Sequence, residues 1–195
     1  MEIYSVLNLS GYGLSTEAYR LALKGFEKLK TQGKLLNSSI LTIIDFSQSS
    51  NKKRMYVIDM VKKSLLYNTY VAHGRNTGEE YAEKFSNESG TFKSSLGFYI
   101  TKNIAIGAKV GFSLVLQGIE RGFNDKALQR EIIIHGADYA TEAFIQKYGR
   151  LGRSLGCPSL PPDLIRPVSE TIQGGSCLFI YHHDENYIRK SEVLQ

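Results

Sequence analysis

The feature that most constrains the fold is a series of short apolar runs, at residues 40–46, 55–60, 65–72, 111–119, 131–135 and 177–182, separated by polar turn-forming segments. Runs of this length, bounded by glycine, asparagine and serine, read as β-strands. Their close spacing favours an all-β sandwich or barrel over alternating βαβ units. Residues 45–54, DFSQSSNKKR, read as a hairpin loop between two of them. The 18 glycines and 12 tyrosines lean toward the same β-rich, turn-rich class. One N-terminal stretch differs. Ser15 can cap a helix, Glu17 suits its first turn, and Ala18, Leu21, Ala22, Phe26 and Leu29 fall on one face, with fraying expected by Gly33. The predicted organisation is a helical segment over 1–36 docked on a mainly β unit over 37–195.

At 195 residues with 42% hydrophobic content, such a unit can bury a substantial core and lies outside the disordered range. The net charge of +5 is compatible with nucleic acid, anionic envelope polymers or acidic lipids. The clearest basic cluster, Lys52-Lys53-Arg54, reads as a solvated turn. With no zinc-finger spacing or aromatic RNA-binding pattern beside it, nucleic acid is not an expected partner. The apolar runs are too short to span a bilayer, so stable membrane insertion is not expected. The opening MEIYSVLNLSGYG lacks the basic start and continuous apolar stretch of a signal peptide. Oligomeric state is not legible. Residues 74–95 form a long polar stretch of the kind that is either functional or disordered.

Two segments carry chemistry. In REIIIHGADYA, 130–140, an apolar strand ends in His135-Gly136; in GRLGRSLGCPSLP, 149–161, a glycine-rich turn delivers Cys157 and then Pro158. A nucleophilic cysteine needs a base within reach and a thiol shifted toward the thiolate. His135 is the candidate base, and the Gly136 carbonyl is the nearest acceptor for its other ring nitrogen. The backbone N–H groups of Leu155, Gly156 and Cys157 could converge on a developing oxyanion. These residue types alone leave Cys157 open as either a nucleophile or a small buried side chain. The chain has no CxxC, and Cys177, inside an apolar run, reads as core. His182-His183 has acidic neighbours, but a metal site is not expected there.

The ordered set IIIHGADYA and GRSLGCPSLP resembles the active-site pair of the YkuD-type L,D-transpeptidase superfamily, HG followed by S-x-G-C, here His135-Gly136 and Ser154-Leu155-Gly156-Cys157. It is most similar to the murein L,D-transpeptidase catalytic domain subgroup, with AHGRNTG at 72–78, FSN at 85–87, SSLGFYIT at 94–101 and SLVLQGIERGFNDKALQR at 113–130 also fitting. The resemblance implies a YkuD-like β-sandwich or barrel with flanking helices. It also implies a cysteine nucleophile acting through a thioester on peptidoglycan stem peptides, as transpeptidase or carboxypeptidase, with no metal or organic cofactor. The working compartment it implies is the bacterial periplasm or cell envelope. His73, in AHGRNTG, would line the substrate groove, Ser154 would contact substrate, and Tyr139 would orient substrate or pack. Two positions depart from the better-known branch, where a histidine often precedes the glycine and an arginine follows two after the cysteine. Here these are Leu155 and Ser159, so Arg150 or Arg153 would have to grip the substrate carboxylate. A different cysteine amidase or endopeptidase, and a wall-binding module with an inert thiol, remain the rival readings.

Overall fold

The computed structural model describes residues 2–108 and 110–195, and most of the chain wraps around one eight-stranded sheet. The strands are β1 (Ile40–Asp45), β2 (Met55–Asp59), β3 (Ser64–Thr69), β4 (Gly97–Gly107), β5 (Gly111–Gly118), β6 (Ile133–Gly136), β7 (Ser159–Leu160) and β8 (Cys177–Tyr181). The helices are α1 (Glu2–Val6), α2 (Thr16–Thr31), α3 (Glu142–Tyr148), α4 (Ile165–Ile172) and α5 (Glu185–Lys190). Across the sheet the order is β3-β2-β1-β8-β4-β5-β6-β7. β1 with β8 and β6 with β7 run parallel; the other neighbours are antiparallel.

The two outer ends of this sheet meet. Just beyond β3, the Ala72 N–H donates to the Ser159 carbonyl at 2.9 Å and the Ser159 N–H returns to the Ala72 carbonyl at 3.2 Å. The sheet is therefore a nearly closed barrel, the mainly β architecture expected from the spacing of apolar runs. Closing a sheet satisfies edge groups that would otherwise stay unpaired.

β1, β2 and β8 are buried along their whole length. A strand covered on both faces reads as a continuous apolar run rather than an alternation, which is why these were visible in the sequence. α2 covers β1 and β8, its cap formed by Ser15 Oγ accepting from the Ala18 N–H at 3.1 Å. Behind it Phe98 of β4 stacks on Phe179 of β8 at 4.1 Å. Beyond the sheet's other half, α4 lies against β5 and β6. The structure adds β4, β7, α3, α4 and α5 to the predicted elements. β4 escaped because its first five residues are buried while most of its second half is exposed, with a register shift between Thr101 and Ile104. No helix among the described residues is long and apolar enough to cross a membrane.

Between β5 and β6 the chain is a string of turns fixed by a buried polar cluster. The Glu120 carboxylate accepts from the Phe98 N–H at 2.7 Å, the Tyr187 hydroxyl at 2.8 Å and the Ser191 hydroxyl. Asn124 Nδ2 donates to the carbonyls of Leu96 and Phe98, each at 3.0 Å, and its Oδ1 accepts from the Glu120 N–H at 2.9 Å. This clamp sets where the chain enters β6. Replacing Asn124 with alanine leaves the Leu96 carbonyl and the Glu120 N–H without partners, while the Phe98 carbonyl keeps the Ile119 N–H, and is expected to cost about 2–3 kcal/mol. Urea denaturation followed by circular dichroism checks it, and Asn124→Asp, which cannot donate through that position, should lose nearly as much.

Candidate active site

The turn carrying Cys157 is shaped from behind by residues 72–77 and 94. Ser154 bridges to Gly74: its N–H donates to the His73 carbonyl at 2.9 Å, and its carbonyl accepts from Arg75 N–H at 2.8 Å. Ser94 Oγ accepts from the Gly74 N–H and donates to the Gly156 carbonyl, both at 3.0 Å. The approach is close enough that a Cβ on Gly74 would stand 2.8 Å from the Gly156 Cα. Gly156 has φ +127°, and a Cβ there would stand 2.9 Å from the Lys93 carbonyl, so the turn requires glycine twice over.

Ser154 is a brace within this turn. Its hydroxyl donates to the Cys157 carbonyl at 2.5 Å and accepts from the Gly156 N–H at 3.0 Å. That corrects two expectations from the sequence. The Ser154 hydroxyl, although Ser154 borders the cavity, is engaged inside the turn, and the Gly156 N–H is already occupied. Among the described residues the N–H groups of Leu155 and Cys157 have no acceptor, and they are the donors left for an anion. The Leu155 side chain is 61% exposed, consistent with a position where only the backbone matters.

His135 sits in β6 between Ser113 of β5 and Ser159 of β7. Its Nδ1 lies 3.1 Å from the Gly136 carbonyl oxygen, the acceptor named from the sequence. A carbonyl only accepts, so the proton of the neutral ring is on Nδ1 and the lone pair is on Nε2. Nε2 lies 3.0 Å from Ser159 Oγ, which lies 3.0 Å from the Tyr139 hydroxyl. The chain of donors therefore runs Tyr139 to Ser159 to His135. Nothing in the sequence marked Ser159 as more than a missing arginine. Its role comes from the β6–β7 pairing, which requires the three-dimensional register.

Cys157 and His135 open onto one cavity of about 1130 Å³, shared with Tyr139, Arg153, Leu155 and Arg130. Cys157 Sγ is directed to the Glu131 carbonyl at 3.7 Å, and not to His135. Burial pushes the thiol above its ordinary pKa; the Ile133 N–H and the Arg130 guanidinium pull it back, and Glu131 opposes them. The net direction is upward, the reverse of the depressed thiol that the sequence argument required.

The other expected substrate contacts separate. His73 does not line the cavity: it is 1% exposed, with Nδ1 accepting from Arg54 at 2.8 Å and Nε2 facing the Gly78 carbonyl at 3.3 Å. AHGRNTG is scaffold packed against the Cys157 turn, its backbone bonded to Ser154. Arg150 and Arg153 both pair with Glu79, at 2.8 and 2.6 Å. Arg153 still reaches the cavity wall, whereas Arg150 does not. Cys177 is fully buried, as read from its apolar run. His182 and His183 stack at 4.0 Å, and among the described residues no cluster of three potential ligands is arranged around a metal.

Two measurements follow from these protonation states. Burial and then Arg54 hold the His73 pKa down at about 3, against 6.5 for a free ring. The unfolded chain therefore takes up a proton that the folded chain refuses between roughly pH 6.5 and 3. Stability from this group is complete above that window and falls with acidification by up to about 1.4 kcal/mol per pH unit. Denaturant titrations at stepped pH should show this slope, reduced in His73→Gln. Nitrogen NMR of His135 should show a protonated Nδ1 and a hydrogen-bonded Nε2 lone pair, with the Nε2 resonance moving toward an unbonded value in Ser159→Ala.

The sequence pattern of the L,D-transpeptidase catalytic domain matches residues 11–181. No curated protein matches. Among solved structures, an L,D-transpeptidase from Mycobacterium smegmatis is similar at 11% identity and a TM-score of 0.46, over 74% of this chain and 59% of its own. L,D-transpeptidase 3 from Mycobacterium tuberculosis is similar at 10% identity and a TM-score of 0.46, over 74% and 61%. Bd1075 of Bdellovibrio bacteriovorus is similar at 15% identity and a TM-score of 0.47, over 74% and 48%. The match thus spans about half to three fifths of those chains. With the sequence pattern covering most of its length, the chain belongs to the L,D-transpeptidase catalytic domain family.

Proposed function

We propose that this protein is a cysteine-dependent acyltransferase that cuts the bond between an L- and a D-centre of a peptidoglycan stem peptide and passes the acyl group on. The observation that carries the reading is the shared cavity, which holds a partly exposed thiol, an imidazole with its lone pair fixed on Nε2, and two free backbone donors on the nucleophile turn. Action on wall peptides places the working compartment at the bacterial envelope, outside the inner membrane.

Because burial keeps Cys157 protonated, its proton leaves as the sulfur attacks. Its acceptor in this reading is the lone pair on His135 Nε2, which the Ser159 hydroxyl occupies at rest. Turning that hydroxyl toward Tyr139 frees the lone pair. The resulting imidazolium then donates to Ser159 Oγ from Nε2 and to the Gly136 carbonyl from Nδ1, so one serine serves both protonation states. Sulfur bonds to the carbonyl carbon, and the oxyanion faces the N–H groups of Leu155 and Cys157. The imidazolium returns the proton to the departing D-alanine nitrogen, leaving a thioester. An incoming amine then loses its proton to His135 and attacks the thioester, giving the cross-link and restoring the thiol. Water in place of the amine gives carboxypeptidase action through the same intermediate.

Mass spectrometry after incubation with a stem tetrapeptide, with and without an acceptor amine, tests this. Expected are a thioester adduct on Cys157 and either a cross-linked dimer or a tripeptide. Cys157→Ala should lower turnover by at least about a thousandfold with folding unchanged. Retained turnover in that variant sinks the proposal.

A further inference from the structure

We propose that Arg130 is the anion-binding residue of this cavity and receives a carboxylate of the acyl donor close to the bond that Cys157 attacks. The identity of the donor rests on the acyl-transfer reading above; the anion site itself does not.

Arg130 is half-buried on the cavity wall beside the nucleophile turn, its Nη2 3.5 Å from where a Gly156 Cβ would stand. Its guanidinium is held rigidly. Nη1 donates to the Ser86 carbonyl at 2.8 Å and to the Ser95 hydroxyl, and Nη2 to the Lys93 carbonyl at 2.6 Å. Those contacts use three of five donors and leave the Nε–H and one Nη2–H without an acceptor among the described residues. All three acceptors are neutral, so the charge is uncompensated.

The neighbouring charges sharpen the contrast. No carboxylate among the described residues lies within ion-pair distance of Arg130. Glu88 acts on it through space but is bonded to Lys126 at 2.6 Å, and Glu131 is exposed beside it without pairing. Arg153, the other arginine on the wall, shares the Glu79 carboxylate with Arg150 and is thus already paired with an anion, as Arg130 is not. A cation drawn partly out of water with no counter-charge is unfavourable, and an anion seated against it recovers that loss. Two remaining donors on a planar, fixed group suit the two oxygens of a carboxylate.

The test compares alkylation of Cys157 by iodoacetate and by iodoacetamide, followed by mass spectrometry; fully buried Cys177 serves as the internal reference. The ratio of the two rates cancels changes in thiol pKa and in loop order. It is expected to fall by on the order of tenfold in Arg130→Gln, as for loss of a charge-assisted hydrogen bond. Arg130→Lys should keep part of the preference, and added salt should weaken it in the wild type. An unchanged ratio in Arg130→Gln overturns the proposal, including the case in which both rates drop by the same factor. As a second arm, a stem tetrapeptide ending in a carboxylate should be preferred over its carboxamide by the wild type and not by Arg130→Gln. A collapsed alkylation ratio with neither peptide turned over by the wild type would keep the anion site and reject the acyl-transfer reading.

Discussion

The whole site hangs on the pair of hydrogen bonds between Ala72 and Ser159. They join the segment just beyond β3, at one end of the sheet, to β7 at the other end. Ser159 belongs to a strand of only two residues, so without that contact β7 has β6 alone to hold it. With it, three things are set at once. The Ser159 hydroxyl meets His135, the Cys157 turn is placed immediately before that short strand, and the 72–77 segment is brought against Ser154 and Gly156. Closing the barrel and building the site are one event.

The same compactness explains the direction in which the thiol titrates. The Cys157 turn is braced by Ser94 and Ser154, and the burial that follows outweighs the nearby guanidinium although the thiol stays partly exposed. In the proposed reaction a resting thiol makes the base more important, because proton removal would accompany attack. The structure answers with an imidazole whose tautomer is fixed by one carbonyl and whose lone pair is held by a hydroxyl able to reverse its role. Tyr139 extends that arrangement toward the cavity, where its hydroxyl can exchange partners.

The sequence exposed what depends on local pattern. Strands buried on both faces, such as 40–46 and 177–182, are continuous apolar runs, and the cap at Ser15 is a short-range signal. The Cys157 and His135 segments stood out for the same reason: each is a strand end or glycine turn whose chemistry sits within a few residues. What escaped is relational. β4 is half inside and half outside the core, so its period is broken. His73 looked like a groove residue because its segment is part of the family resemblance, yet it is turned inward to the equally buried Arg54, a pairing between residues on different strands' ends. The polarity of residues 74–95 reflects backbone groups being satisfied against the nucleophile turn by side chains such as Ser94 and Thr77.

The departure at Ser159 ties these strands of argument together. Its side chain is fully buried between His135 and Tyr139, and the space beyond its hydroxyl is filled by the tyrosine ring. An arginine at that position would have to displace Tyr139 and would leave Nε2 without its hydroxyl partner. A chain that fixes its base through Ser159 and Tyr139 therefore has no room for a cation on that strand. In the proposed reaction the charge for a substrate carboxylate would come from another element bordering the cavity, since the two arginines following α3 already share Glu79. That leaves the segment leading into β6, which delivers Arg130 to the turn holding Cys157 just before it delivers His135 to Ser159. One short stretch of chain, fixed upstream by the Glu120–Asn124 clamp, would then set both the charge and the base of the site.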